Sequence, residues 1–376
     1  MAPAAGQEAK QRMKTILIDC RTWKYGTGRY QEQLVTHLER TDNEHKYIIL
    51  LREKDLAAWE PTNPHFQKIL CPYKEFTFSE QTGFLQQLNS LQADLVHFPM
   101  VQQPALYRGN SVTTIQDLTT VRFRNPTKNW LTFTLKQQVY KALNWYVARK
   151  TKLLITPSEF VKKDIAAFAH IPETKITVTY EAATPLPQPA TPLPSLEKKD
   201  FIMYLGRPLP HKNLWRLIEA FRLLQPAHPN LLLVLAGKID EAYQQIIDRA
   251  EDAGVTNIVC TDFISDHELL WLYQNCRAYV FPSLSEGFGL PALEAMASGA
   301  PLVSTNATCS PEVYGDGAHY FDPLNVKDIA AKIEDVLTDP QLREELIGRG
   351  RAQAARYSWE KMAQETLGVY KKALGE

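Results

Sequence analysis

The sequence predicts an α/β protein built from two Rossmann-like, doubly wound parallel-sheet domains. Three observations support this fold class. The length of 376 residues is typical of two domains. Short apolar runs alternate with helical patterns, which indicates parallel sheets. The same alternation begins again after a proline-rich stretch at residues 182–197.

The first half of the chain contains five apolar runs with the length of strands: Thr15–Asp19, Tyr47–Leu51, Asp94–Phe98, Ser111–Ile115 and Lys152–Thr156. A helix over Tyr30–Leu38 follows a turn that contains Gly26 and Gly28, and a second helix begins after Pro157. The polar residues 1–12 lack the apolar core of a signal peptide, so we expect a disordered leader and a cytoplasmic protein. Five scattered cysteines without a Cys-x-x-Cys pair fit reduced core residues.

The second half repeats the pattern with five further runs: Phe201–Leu205, Leu231–Ala236, Ile258–Cys260, Ala278–Ser283 and Pro301–Ser304. Helices are predicted over Asn213–Leu224 and Tyr357–Leu374. We place the domains at residues 13–181 and 198–356, with 182–197 as a linker or an ordered extended loop. The formal net charge is zero and 44% of residues are hydrophobic, which is typical of a soluble globular protein. No run approaches the roughly 18 apolar residues of a membrane span.

The segment from Glu286 to Gly299 reads EGFGLPALEAMASG and is the most informative in the chain. A strand precedes it, and proline at position 291 is favoured in the first turn of a helix. Its glycines can present backbone amides at the helix N-terminus, where phosphate or sugar oxygens are well bound. Seven residues separate the carboxylates Glu286 and Glu294. An ordinary strand–helix turn with two solvated carboxylates is the alternative interpretation.

This pattern resembles the Glu-x7-Glu signature of retaining glycosyltransferases with the GT-B fold, the large family 4 (glycosyl transferases group 1). The resemblance implies two Rossmann-like domains facing a cleft, with the C-terminal helix, residues 357–376, returning to the N-terminal, acceptor-side domain. The C-terminal domain would then bind the nucleotide sugar. Glu286 would meet the donor sugar and Glu294 the ribose, while amides would come from Phe288, Gly289 and Leu290.

Two further segments of the second half carry the resemblance. Arg207 and Lys212 stand where the family has cations that bind the donor diphosphate. The chain has no Asp-x-Asp motif, which would bind a metal ion, so these two cations would take the place of the metal. We therefore expect no required metal and no cofactor. The loop with Phe263 and Ile264 would border the nucleotide base, and Ser265 with the Glu three residues later also predicts a capping box.

In the first half the resemblance is weaker and partly departs from the family. Gly26, Gly28 and Arg29 resemble its first glycine loop, although a tight strand–helix turn is the alternative. Many members have a His-Asp pair after a strand, whereas this chain has Gln116 before Asp117. Glutamine can form hydrogen bonds but cannot titrate near neutrality. His97 could face the cleft instead, or it could be a structural histidine.

The charges are unevenly distributed. Residues 1–180 contain 24 basic and 16 acidic side chains, whereas the remainder contains 18 and 26. Between residues 118 and 158 there is no acid, but eight basic residues interleave with six aromatic ones. The basic residues are Arg122, Arg124, Lys128, Lys136, Lys141, Arg149, Lys150 and Lys152, and the aromatic ones are Phe123, Trp130, Phe133, Tyr140, Trp145 and Tyr146. This stretch predicts docking on an anionic membrane surface, with a solvated helix as the alternative. A nucleic-acid partner is not expected, because no binding module is present and the whole chain is neutral.

The sequence therefore predicts a retaining glycosyltransferase that moves a hexose, of mannose or glucose type, from a GDP- or UDP-linked donor to an acceptor hydroxyl. A glycan or a lipid-linked acceptor in cell-surface polysaccharide synthesis is expected. The candidate catalytic residues are Glu286, Arg207, Lys212 and Asp117. Two alternatives remain: a nucleotide-sugar epimerase of the same architecture, and a catalytically weak sugar-nucleotide-binding protein. No dinucleotide fingerprint with a following ribose-binding acid supports nicotinamide chemistry.

Overall fold

Two parallel sheets organise the chain in a computed structural model that describes residues 12–23, 28–123 and 130–376. Residues 1–11 of the predicted leader lie outside this part of the chain. The other predicted positions outside it are Gly26, Arg124 and Lys128, together with the side chains of Trp130 and Phe133.

The larger sheet has seven strands in the order β3-β2-β1-β4-β5-β6-β7. Their bounds are β1 Thr15–Asp19, β2 Lys46–Leu51, β3 Phe66–Leu70, β4 Leu95–Phe98, β5 Ser111–Thr114, β6 Leu153–Thr156 and β7 Ile176–Val178. Most of the central strands are buried and apolar because helices cover both faces, as is usual for parallel sheets.

Among the described residues of this first half, the α-helices are α1 Gly28–Thr41, α2 Leu85–Leu91, α3 Thr119–Arg122, α4 Trp130–Lys150 and α5 Glu159–Ala169. A π-helical turn, Glu80–Phe84, leads directly into α2. Helix α1 buries Tyr30, Leu34 and Leu38. The 3.6-residue period places these side chains on one face, towards the sheet.

The smaller sheet has six parallel strands in the order β10-β9-β8-β11-β12-β13. The strands are β8 Phe201–Leu205, β9 Leu232–Ala236, β10 Ile258–Cys260, β11 Ala278–Phe281, β12 Leu302–Thr305 and β13 Ala318–Phe321. The helices are α6 Leu214–Leu224, α7 Glu241–Asp252, α8 Asp266–Asn275, α9 Leu290–Ser298, α10 Ser310–Tyr314, α11 Val326–Thr338, α12 Pro340–Ala354 and α13 Trp359–Leu374.

Apolar clusters cover both faces of the smaller sheet. Residues of α8 and α9 pack on one face, and residues of α6, α7 and α11 pack on the other. This is the doubly wound arrangement that the alternating pattern predicts, so the fold class is confirmed. Within the described residues, no helix combines the length and apolar character needed to cross a bilayer.

By its contacts the chain divides into two compact units. The first contains residues 1–115, 147–155 and 362–376, and the second contains 116–146 and 156–361. The first unit is therefore discontinuous and includes most of α13. The predicted boundaries at residues 181 and 198 follow sequence patterns rather than contacts, and they stay a prediction.

All ten predicted strands exist in the structure, with bounds that differ by at most two residues at either end. The predicted helices over Tyr30–Leu38, Asn213–Leu224 and Tyr357–Leu374 correspond to α1, α6 and α13. Strands β3, β7 and β13 were not predicted. Residues 182–197 contain no helix or strand, yet Leu196 is fully buried, so this segment is an ordered extended loop.

Candidate functional site

The turn between β11 and α9 lies at the carboxyl edge of the smaller sheet. Strand β11 ends at Phe281, and helix α9 begins at Leu290 with Pro291 in its first turn. Ligands of open α/β sheets bind outside the carboxyl ends of the strands. The predicted donor-binding segment therefore occupies the edge at which such chemistry is expected.

Two glycines of this turn are required by close approaches of other groups. A Cβ atom on Gly287 would lie 2.0 Å from the carbonyl oxygen of Gln116. At Gly289, where φ is +82°, a Cβ would lie 1.9 Å from the hydroxyl of Tyr314, which donates a 3.0 Å hydrogen bond to the Gly289 carbonyl. Any residue other than glycine is therefore excluded at both positions on steric grounds, and at position 289 also by the backbone conformation.

The central contact of the site is an ion pair. Lys212 Nζ lies 2.7 Å from Glu286 Oε1, and the two side chains are only 21% and 11% exposed. The backbone N–H of Leu284 donates to the His211 carbonyl at 2.7 Å, which holds the short 3-10 turn 210–212 against the segment before Glu286. The structure thus brings together two residues that are 74 positions apart.

Asn213 fixes the backbone at this point. It adopts a left-handed conformation with φ of +58°, and its buried side-chain amide donates to the carbonyls of Pro282 and Pro323 at 3.0 and 2.8 Å. Asparagine is among the few side chains that tolerate this conformation. Asn213 therefore positions Lys212 by joining the start of α6 to the segment that follows β11.

Asp117 adds a second carboxyl group to the electrostatic environment of the pair. Burial raises the pKa of Asp117 above its usual value, and the charge of Glu286 raises it further. The backbone N–H of Thr119, 2.7 Å from Asp117 Oδ1, and the charge of Lys212 act in the opposite direction. One lysine thus serves two carboxyl groups, and an anion bound at Lys212 would further raise the pKa of Asp117 and so favour uptake of a proton.

Arg207 is not part of this cluster. Its guanidinium is 69% exposed and pairs with Asp240, whose Oδ2 lies 2.9 Å from Arg207 Nη2. Asp240 also accepts a hydrogen bond from the backbone N–H of Tyr243 and so caps α7. The predicted diphosphate clamp is therefore brought together only in part: Lys212 pairs with Glu286, whereas Arg207, on the same segment between β8 and α6, pairs with Asp240.

The remaining residues of the predicted donor segment are partly or wholly enclosed. Glu294 is buried on α9, and it has interactions within the protein. The Phe288 ring is buried between Tyr180 and Tyr357. The Phe288 side chain is thus not available to a ligand, so a contact through its backbone amide stays a prediction, and Leu290 is half-buried at the start of α9.

The loop between β10 and α8 was predicted to border the nucleotide base. Phe263 is 84% exposed there, and Ile264 packs partly against the core. Asp262, with φ of +57°, accepts a hydrogen bond from the Ile239 N–H, which joins this loop to the one after β9. The capping box is confirmed: the Ser265 side chain accepts from the Glu268 N–H, and Glu268 accepts from the Ser265 N–H.

The backbone and the side chain of Gln116 lie in different environments. Its carbonyl approaches Gly287, whereas its side-chain Nε2 is buried and has no hydrogen-bond partner among the described residues. A buried donor without a partner costs free energy, about 1–3 kcal/mol. An acceptor oxygen of a ligand is a suitable partner for it.

Three predicted site residues within the described part of the chain belong to the first unit: Gly28, Arg29 and His97. At Gly28, where α1 begins, a Cβ would lie 2.0 Å from the Thr22 carbonyl, so glycine is required there. Arg29 is half-buried in the first turn of α1.

The expectation that His97 could face the cleft is wrong. His97 is fully buried, and its ring nitrogens lie 2.5 Å from the Tyr370 hydroxyl and 2.8 Å from Thr114 Oγ1. Burial lowers the pKa of His97 to about 3, so the ring is neutral. Because Tyr370 belongs to α13, this histidine holds the C-terminal helix within the first unit and has no free nitrogen for a ligand.

Sequence reasoning missed several residues that shape the site. Thr308 accepts a hydrogen bond from the Glu286 N–H at 3.3 Å, and the hydroxyls of Thr119 and Ser285 lie 2.9 Å apart. No sequence signal identifies these pairs. Asp240, in contrast, stands directly before a helical pattern, where an aspartate is a strong N-cap candidate. That signal could have located the loop that holds Arg207.

Comparison with known proteins agrees with this geometry. Residues 191–353 match the model of the glycosyl transferases group 1. The O-antigen chain mannosyltransferase B of Escherichia coli is 35% identical over 232 residues, which are 58% of this chain and 60% of that protein. The serotype-specific mannosyltransferase WbdA of Escherichia coli is 41% identical over 167 residues, 43% of this chain. The matched part covers only 20% of WbdA.

Solved structures share the architecture. The sucrose-phosphate synthase from Thermosynechococcus elongatus superposes with a TM-score of 0.73 over 96% of this chain and 98% of that one. Its sequence identity is 17%, so this likeness supports the fold alone. Residues 191–353 therefore match the glycosyl transferases group 1 domain, and the two-sheet architecture of the chain is that of the GT-B fold.

Proposed function

We propose that the chain is a retaining glycosyltransferase of family 4 that transfers a hexose from a nucleotide diphosphate sugar to an acceptor hydroxyl. Mannose is the favoured sugar, because the two relatives described above are mannosyltransferases. The chain spans about three fifths of the length of the first relative and one fifth of the second. The donor, the acceptor and the reaction are therefore proposed for this chain rather than transferred from those proteins.

The observation that carries the proposal is the Lys212–Glu286 pair beside Asp117. Breaking a glycosidic bond to a diphosphate places negative charge on the leaving oxygens, which a preorganised cation stabilises. Lys212 is held for this task by Glu286 and by the turn that Asn213 anchors. When a diphosphate binds, Lys212 would interact with the phosphate as well as with Glu286. The weaker pairing would let Glu286 accept hydrogen bonds from sugar hydroxyls.

The other donor contacts follow from the same assignment. Glu294 would accept hydrogen bonds from the ribose, and the backbone amides of Phe288, Gly289 and Leu290 would meet sugar and phosphate oxygens. Arg207 would exchange Asp240 for a phosphate, which guanidinium binds through two parallel hydrogen bonds. This exchange costs little, because a salt bridge with an exposed arginine is weak.

Retention without a nucleophile on the acceptor side requires attack on the same face from which the diphosphate departs. A β-phosphate oxygen of the leaving group would accept the proton of the acceptor hydroxyl, and Lys212 and Arg207 would stabilise the remaining charge. Cations would thus replace a metal ion, and we propose that the enzyme requires none.

A cytoplasmic, peripheral location is proposed from the acid-free stretch 118–158. Lys136 and Lys141 are exposed on α4, together with Trp145 and Tyr146, which are 42% and 41% exposed. Other basic residues of the stretch have structural partners: Arg122 pairs with Asp164, and Lys150 and Lys152 donate to backbone carbonyls. The described part therefore supports a smaller basic surface than the sequence predicted, suited to a lipid-linked acceptor at an anionic membrane.

The experiment that tests the function is donor turnover with and without acceptors. GDP-mannose, GDP-glucose, UDP-glucose and UDP-galactose are incubated with the chain and with mannosides or lipid-linked oligosaccharides, and the product anomer is assigned by NMR. Transfer with retention supports the proposal. An inverted product, or a new nucleotide sugar formed without any acceptor, as an epimerase would give, contradicts it. Binding without turnover would identify a sugar-nucleotide-binding protein. Glu286→Ala is the inactive control.

A further inference from the structure

We propose that Phe76, Phe78 and Leu106 form a membrane-docking surface of the first unit, called here the apolar patch, which inserts into an anionic lipid bilayer. The inference rests on the proposed function in one respect: the apolar patch would bring the enzyme to the membrane in which a lipid-linked acceptor lies. The three residues of the apolar patch lie outside the stretch 118–158 and outside the donor site.

The three side chains are unusually exposed for their size. Phe76 is 70% exposed, Phe78 is 83% exposed and Leu106 is 69% exposed. Phe76 also has a left-handed backbone with φ of +60°. This conformation is an outlier for a bulky side chain, and such strain persists mainly at functional sites. Clustered exposed apolar groups mark binding surfaces, whereas single ones need no explanation.

A network of hydrogen bonds holds the aromatic segment in this conformation. The Phe76 N–H donates to Glu80 Oε2 at 3.1 Å, and Glu80 Oε1 lies 2.9 Å from Arg21 Nη2. Arg21 is buried, pairs also with Asp19 at the end of β1, and donates to the Tyr73 carbonyl. The segment that carries Phe76 and Phe78 is thus fixed to the sheet and does not expose these rings through looseness.

The same π-helical turn connects the aromatic segment with the loop that carries Leu106. Gln81 Oε1 accepts a 2.8 Å hydrogen bond from the Ala105 N–H, and Gln81 Nε2 donates to the Gln103 carbonyl at 3.3 Å. The two segments follow β3 and β4, and parallel strands end at one edge of a sheet. The apolar patch therefore projects from the carboxyl edge of the larger sheet.

Positive charge accompanies the apolar patch. Lys74 and Arg108 are exposed next to its two segments, and within the described part of the chain neither has an ion-pair partner. The acids of the aromatic segment are neutralised, since Glu75 pairs with Arg52 and Glu80 with Arg21. What remains at the surface is cationic and aromatic.

An anionic bilayer is the occupant that fits this chemistry. Aromatic rings settle at the level of the lipid headgroups, while lysine and arginine remain among the phosphates. Lys150, at the end of helix α4, donates to the Ala105 carbonyl at 3.1 Å, so a basic residue of the first unit contacts the loop that carries Leu106. Apolar insertion and electrostatic attraction together give stable binding where either alone is marginal.

The test is flotation of the full chain with vesicles of phosphatidylcholine alone or with phosphatidylglycerol added. We expect binding only with phosphatidylglycerol, and Phe76→Ser/Phe78→Ser should weaken it by about tenfold or more, since part of each ring leaves lipid. Lys74→Gln and Arg108→Gln should each weaken it roughly fivefold at low salt. Leu324→Ser, an apolar residue 64% exposed in the second unit, is the matched control and should not change binding.

An environment-sensitive NBD label at Phe78→Cys gives an independent readout. Its emission should rise and shift to the blue on addition of anionic vesicles, whereas the same label at Leu324→Cys should not respond. Unchanged binding of Phe76→Ser/Phe78→Ser overturns the proposal, as does binding lost only in Lys136→Gln/Lys141→Gln. Binding to monomeric short-chain lipids but not to vesicles would assign the patch to a single acceptor molecule and also overturn it. Vesicle binding needs no turnover, so its failure is distinct from failure of the proposed activity.

Discussion

Replacing Lys212 with alanine is expected to lower kcat by about 10²–10³-fold, which corresponds to roughly 2.7–4 kcal/mol. The structure supplies the reason. Lys212 Nζ and Glu286 Oε1 are 2.7 Å apart, and both side chains are largely buried. At an effective dielectric constant of about 20, such charges attract by about 6 kcal/mol, and desolvation offsets most of this. The net value is that of a charged hydrogen bond, about 1.5–3 kcal/mol.

Loss of the lysine acts on binding and on catalysis unequally. In the free protein it leaves Glu286 without its ion-pair partner, and the pKa of Asp117, which the charge of Lys212 lowers, should rise further. In the transition state it removes the cation from an oxygen whose charge is growing. The larger effect is therefore expected on kcat, and free nucleotide diphosphate should bind more weakly by a smaller factor.

The assay is single-turnover transfer, with isothermal titration of the nucleotide diphosphate and chemical denaturation of each variant. A double-mutant cycle with Glu286→Gln measures the coupling, expected at about 1–3 kcal/mol for residues in contact. Lys327→Ala, an exposed lysine on α11, is the matched control. If Lys212→Ala retains turnover within about threefold of the parent, that loss is far below the scale expected for a charge-stabilising group, and the assignment is wrong.

Three further outcomes are expected. Glu294→Ala should weaken nucleotide and donor binding alike, by roughly 10- to 100-fold, whereas Glu286→Ala should spare nucleotide affinity and reduce turnover; titrating both variants decides this. EDTA should have little effect on transfer, and activity that Mg²⁺ or Mn²⁺ alone restores would contradict the metal-free mechanism. Although burial alone would raise the pKa of Asp42, hydrogen bonds from His45 and Tyr47 lower it to about 2. The ionised Asp42 carboxylate therefore stabilises the folded state above the pKa that Asp42 has in the unfolded chain, and this stabilisation is lost as pH falls towards 2. Asp42→Asn should therefore cost about 1–2 kcal/mol at pH 5 and little at pH 2, measured by denaturant unfolding.

Local patterns were sufficient for the elements that frame the donor site. Strand β11 is a continuous apolar run, Pro291 marks the start of α9, and Ser265 with Glu268 forms the predicted capping box. Each signal lies within one turn or one strand, so it does not depend on distant contacts. Strands β3 and β13 were missed because their middle residues are half-buried or exposed, and they lack the apolar run of the central strands.

The position of His97 could not be predicted for a different reason. Its place at the end of a strand is compatible with a cleft or a core, and the sequence near it does not distinguish them. The burial of His97 depends on Tyr370, 273 residues further along the chain, whose hydroxyl forms a hydrogen bond with the His97 ring. Similarly, Arg207 was assigned to a phosphate by its motif, and only the folded chain shows that Asp240 holds it.

The replacement of the family's histidine by Gln116 has a physical consequence for the proposed reaction. The amide Nε2 is buried without a partner among the described residues, next to the turn with Gly287. Such a donor destabilises the free protein and recovers its hydrogen bond only when a ligand oxygen reaches it. Because an amide does not titrate, that hydrogen bond has the same strength across the neutral pH range. An acid limb of the pH profile is therefore expected from neighbouring ionisable groups, among them Asp117, whose pKa burial raises above its usual value.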